Sequence, residues 1–76
     1  MTLKAQAKLK SRRGMLELDI ILQRFLENGF DDLSFAQQVL FLKLLDWEDP
    51  ILYDCLIDEI PPVDIEMGKL VRCIIK

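Results

Sequence analysis

Apolar residues recur along this chain at helical intervals, and the rhythm is interrupted at Gly14, Asn28-Gly29, Pro50, Pro61-Pro62 and Gly68. Between those marks the spacing predicts five helices. Residues 3 to 12 are rich in Lys, Ala, Gln and Leu, good helix formers with little apolar surface, so this segment is expected to be helical only when docked on the rest. A second helix is predicted from about Met15 to Asn28, with Met15, Leu18, Ile21, Leu22, Phe25 and Leu26 on one broad face and Gly29 suited to a left-handed C-cap. Leu16 and Ile20 project to the opposite side, among Glu17, Gln23, Arg24 and Glu27, where they either meet the first helix or stand exposed. Ser34 with Gln37 three residues on is a capping-box signature, and the segment Phe35 to Leu45 behind it is apolar almost all round, which predicts a central helix with Leu40 in the core. Asp49 then Pro50 reads as the N-cap and first residue of a short helix ending near Ile57, which Pro61-Pro62 prevents from continuing. Asp64 can cap a last helix, where Met67, Leu70, Val71 and Ile74 keep the i, i+3, i+4, i+7 spacing. No tract alternates long enough to suggest a strand, and no repeat is present. The expectation is all-α: a small compact five-helix bundle with short loops.

With 76 residues, the chain has room for one domain, 1–76, made of a basic N-terminal helix at about 3–12 and a body at about 15–75. A chain of this size buries only roughly 60 to 65% of its unfolded surface, so a single core must hold the fold. There is no histidine, which removes the commonest general base, the usual metal ligand and the Ser-His and Cys-His nucleophile pairs together. Cys55 and Cys73 lack CxxC spacing and lie inside apolar runs, so both are expected in the core. An enzyme using either thiol would have no base to activate it. Gly14, Gly29 and Gly68 stand apart, without the spacing of a phosphate-cradling loop, and no catalytic, cofactor-binding or metal-ligating residue is expected. Residues 1–14 lack the apolar core of a signal peptide and no apolar run is long enough to cross a bilayer, so a cytoplasmic protein is expected.

Charge changes the picture more than composition does. Lys4, Lys8, Lys10, Arg12 and Arg13 precede Gly14 with no acid among them, whereas all 13 acids follow it. An anionic partner would therefore have to be met by the arm alone, because the acidic body would repel a polyanion lying across it. That leaves open a small nucleic-acid-binding regulator that uses the basic helix.

The segment Arg12-Arg13-Gly14-Met15-Leu16-Glu17-Leu18-Asp19 has two readings on physical grounds. As a helix junction it needs glycine for the bend, Glu17 to complement the positive helix end, and Arg13 solvated or paired with Glu17. As a docking surface it offers a flat glycine beside a planar Arg donor, with Leu16 and Ile20 as apolar neighbours.

Arg13-Gly14-Met15-Leu16-Glu17 resembles the RGxxE motif of the SdhE-type FAD assembly factors, the bacterial relatives of the mitochondrial succinate dehydrogenase assembly factor. The resemblance continues through Leu18-Asp19-Ile20-Ile21-Leu22, Arg24-Phe25-Leu26-Glu27, Leu33-Ser34, Leu44-Leu45-Asp46 and Asp49-Pro50, and covers nearly the whole chain. It implies a five-helix bundle acting as a non-catalytic factor; a monomer is expected, with self-association through Leu16 and Ile20 left open. Such a factor binds the flavoprotein subunit of succinate dehydrogenase, and in some bacteria fumarate reductase, and promotes covalent attachment of FAD to a histidine of that subunit. No FAD would be held stably by this chain, and neither nucleic acid nor membrane insertion is implied. The motif places the partner contact on Arg13, Gly14 and Glu17, with Arg12 adjacent; Leu16 and Ile20 join it from the physical reading. The stretch Trp47-Glu48 and the region of Cys55 depart from the family pattern, which leaves peripheral contacts open.

Overall fold

The computed structural model describes residues 2–75; Met1 and Lys76, the ends of the predicted 1–76 domain, lie outside the described residues. Five α-helices follow one another: α1 Leu3–Lys10, α2 Leu16–Asn28, α3 Phe35–Leu45, α4 Asp49–Leu56 and α5 Ile65–Ile75, with a single 3-10 turn at Phe30–Asp32 between α2 and α3 and no strand among the described residues. The all-α bundle expected from the sequence is the fold.

Local chemistry sets most of the boundaries. Ser34 and Gln37 form the full capping box, the Ser34 hydroxyl accepting from the Gln37 N–H while the Gln37 side chain accepts from the Ser34 N–H. The Asp64 carboxylate accepts from the Met67 N–H and opens α5. At α4 the expected cap is displaced by one residue: Glu48 is the N-cap and Asp49 the first helical residue, its carboxylate accepting from Arg13 instead of capping the helix.

The core is formed by Leu18, Leu22, Phe25 and Leu26 of α2, Phe41, Leu44 and Leu45 of α3, Leu52, Cys55 and Leu56 of α4, and the full predicted stripe Met67, Leu70, Val71 and Ile74 of α5. Phe30, from the 3-10 turn, and Phe25 both lie against Phe41, with ring centroids 5.5 and 5.4 Å away. Two expected core positions lie elsewhere. Leu40 is only half-buried, since α3 points Phe41, Leu44 and Leu45 inward and Leu40 falls on the flank of that arc; Phe35 at the start of the same helix is exposed. Cys73 is exposed, outside the arc of the α5 stripe, while Cys55 is buried.

Helix α1 ends at Lys10, two residues earlier than the spacing predicts, with Ser11 as its C-cap. It docks through Ala7, fully buried, and through two ion pairs, Lys4–Asp31 at 2.8 Å and Lys10–Asp46 at 2.6 Å, which tie it to the 3-10 turn and to the end of α3. Ser11, also fully buried, accepts from the Gln23 side chain and donates to the Lys8 carbonyl, so its hydroxyl is satisfied. This seat on Gln23 leaves Leu16 and Ile20 uncovered and resolves the sequence alternative: both are exposed.

Gly29 does not adopt the left-handed cap. Its φ is −131°, and what excludes other residues is space, because a Cβ there would sit 2.7 Å from Phe25 Cε1. Gly29→Ala is therefore expected to push the Phe25 ring off Phe41 and to destabilise the protein by about 1 to 3 kcal/mol, read as a lower melting temperature in circular dichroism.

Candidate docking site at the Arg13-Gly14 turn

The chain must reverse between α1 and α2 within five residues, and Gly14 does so with φ +80°, a left-handed conformation that residues with a Cβ adopt at a cost. Gly14 is exposed, and a Cβ added to it would meet nothing within 4 Å. The space in front of this glycine is open.

Arg13, immediately before it, faces the other way. Its side chain is only 14% exposed. The guanidinium donates through Nε to Asp49 Oδ1 at 2.8 Å, through Nη1 to the Lys10 and Leu45 carbonyls, and through Nη2 to the Trp47 carbonyl. Lys10 and Leu45 are the last residues of α1 and α3, whose terminal carbonyls have no partner within their own helices. One guanidinium thus serves two helix C-termini, where a cation also complements the helix dipoles, and binds the carboxylate at the start of α4. Neither sequence alternative for Arg13 describes this arrangement: it is not solvated, and its ion pair is with Asp49, not with Glu17.

The backbone of the turn is held separately. Asp19, in the first turn of α2, reaches back and accepts from the Arg13 N–H at 2.8 Å. The sequence patterns assign Asp49 to the α4 cap and leave Asp19 without a role, and pair neither with Arg13. The spacing from Arg13 to Asp19 fits a helix-start carboxylate returning to the preceding loop, but nothing local marks Asp49, which is 36 residues away.

The other expected site residues lie outward. Glu17 is exposed and forms no ion pair with a described residue; Leu16 is 69% and Ile20 49% exposed, and Arg12 is exposed at the turn's edge. Beside Ile20 a shallow, open depression runs along α2, lined by Asp19, Ile20, Gln23, Arg24 and Glu27. Elsewhere, burial and the nearby Asp54 charge push the Cys55 thiol pKa up, so at neutral pH it is a protonated packing group. No cluster of three or more potential metal ligands occurs among the described residues, and none of their helices is long and apolar enough to cross a membrane. Of the five cations of the basic arm, Lys4, Lys10 and Arg13 are already paired with acids of the body.

The fold is a small helical bundle with an exposed, left-handed glycine at the turn before α2, whose outer side keeps Leu16 and Ile20 exposed. Residues 5–76 match the model of a protein family described as the flavinator of succinate dehydrogenase. The FAD assembly factor SdhE of Coxiella burnetii is 48% identical over 63 residues, 83% of this chain and 77% of that protein. The proteins of the same name from Wigglesworthia glossinidia brevipalpis and Shewanella oneidensis are 41% identical over 63 residues and 40% identical over 67, covering 75% and 82% of their lengths and 83% and 88% of this chain. The chain belongs to this family of FAD assembly factors, and it is accordingly an accessory protein of succinate dehydrogenase flavinylation, not an enzyme.

Proposed function

We propose that this protein docks on the flavoprotein subunit of succinate dehydrogenase and promotes the covalent attachment of FAD to a histidine of that subunit. The observation that carries the reading is Gly14: an exposed glycine, left-handed and with open space before it, at the head of a helix whose outer side keeps Leu16 and Ile20 out of the core. The docking face consists of Gly14, Leu16, Glu17 and Ile20, with Arg12 at its edge and Arg13 beneath it. Exposed apolar side chains beside a close-approach glycine suit a partner surface that packs flat against them.

Flavinylation requires the isoalloxazine ring and the acceptor histidine in reacting geometry, and the bond-forming chemistry belongs to the flavin and the protein that holds it. A chain without histidine contributes by binding the arrangement in which the two meet, shifting the subunit toward it, and then leaving. FAD stays with the partner and is not held stably by this chain. The flavoprotein subunit of fumarate reductase is a second client on the same chemistry, and the factor acts as a cytoplasmic monomer.

Size-exclusion chromatography of the two purified proteins is expected to give a one-to-one complex with the flavoprotein subunit, and a failure to co-elute at micromolar concentrations would refute the docking. Within that complex, Glu17→Ala and Ile20→Ser are expected to reduce affinity while changing stability by no more than about 1 kcal/mol, because Glu17 is exposed and Ile20 is 49% exposed. Isothermal titration together with thermal melts separates the two effects.

A further inference from the structure

We infer that Arg13, Asp19 and Asp49 are positioning residues of the docking face: Arg13 acts on the partner through the Gly14 turn that it holds in place, and does not itself meet the flavoprotein. The inference rests on the docking reading above and goes beyond it by assigning the arginine of the motif an inward role and by adding two carboxylates to the functional set.

The residue before Gly14 is fixed at both its backbone and its side chain. Asp19 holds its N–H, and the guanidinium is anchored on Lys10 at the end of α1, Leu45 at the end of α3, Trp47 in the loop that follows and Asp49 at the start of α4. Glycine populates positive and negative φ about equally when nothing constrains it. The hand of the turn, and with it the angle at which α2 presents Leu16, Glu17 and Ile20, therefore depends on what holds Arg13. A face fixed before the encounter avoids the cost of ordering on binding. Four of the five guanidinium N–H groups are accounted for within the chain, which leaves little of Arg13 for a partner. Lysine would keep the charge but not the planar fork that reaches several acceptors at once.

The experiment combines affinity for the purified flavoprotein subunit with amide nitrogen relaxation of Gly14 in the free protein. Arg13→Lys and Asp49→Ala, each checked for retained helical content, are each expected to weaken binding by about tenfold, the factor that corresponds to ~1.4 kcal/mol. The double variant should bind no more weakly than the weaker single one, because both changes undo one brace. In both single variants Gly14 should lose order on the fast timescale before any partner is added. Asp19→Ala should behave likewise, and Asp19→Asn, which keeps an acceptor oxygen for the Arg13 N–H, should restore both order and affinity. If Arg13→Lys weakens binding while Gly14 stays as ordered as in the parent and Asp49→Ala binds normally, Arg13 touches the partner directly and the inference falls, with the docking reading intact. If instead the parent protein does not bind the subunit, the docking reading itself falls and the functional half of the inference falls with it.

Discussion

Gly14→Arg is expected to abolish binding to the flavoprotein subunit while leaving a folded bundle. The two consequences of the substitution separate cleanly in this structure. A side chain at residue 14 enters open space and displaces no neighbour, so the only internal cost is the left-handed backbone at φ +80°. That cost is about 1 to 2 kcal/mol for a residue with a Cβ. In a domain of this size each kcal/mol lowers the melting temperature by roughly 4 to 8 °C, which leaves the variant folded at ordinary temperatures. The same side chain projects from the exposed turn where a partner must approach, so close contact is blocked. Gly14→Asn is the control, since asparagine tolerates the left-handed region. It should melt near the parent and bind with intermediate affinity. A Gly14→Arg protein that melts lower and still binds at full strength would show that residue 14 serves only the bend.

The largest effect on stability is expected from Leu44→Ala. Leu44 is fully buried on the inward arc of α3, and removing its methyl groups should cost about 2 to 5 kcal/mol, against a total of roughly 5 to 10 kcal/mol for a domain of this size. The protein should lose a large part of its cooperative transition at physiological temperature. Leu40→Ala, on the flank of the same helix and only half-buried, should cost about half as much, because less apolar surface leaves water there on folding. Melting both variants by circular dichroism checks the orientation of α3, and equal losses would contradict it.

The contrast between Leu40 and Leu44 also shows where sequence reasoning reaches and where it stops. The capping box at Ser34 and Gln37, the cap at Asp64 and the stripe on α5 were legible because each is a relation between residues three or four apart, settled within one turn of helix. A helix apolar on nearly every side carries no such periodic signal, so its inward arc is chosen by what packs on it. The seat of α1 on Ala7 and on the Ser11–Gln23 bond is likewise a tertiary choice, and it decided the exposure of Leu16 and Ile20. Gly29 was recognisable as a necessary glycine, yet the reason depends on where the Phe25 ring lies and could not be read from chain position. The motif residues Arg13, Gly14 and Glu17 stood out in the sequence. The inward turn of Arg13 did not, since three of its four acceptor groups are backbone carbonyls, which leave no trace in residue identity, and the fourth is distant in the chain.

The central claim is that this chain promotes covalent flavinylation through the face around Gly14. The measurement that tests it most directly is in-gel flavin fluorescence of the succinate dehydrogenase flavoprotein subunit, in a host lacking this protein and again after return of the parent or of Gly14→Arg. The account predicts fluorescence lost in the deletion, restored by the parent and not restored by Gly14→Arg expressed at a matched level. Undiminished covalent flavin in the deletion host, or full restoration by Gly14→Arg, would contradict it.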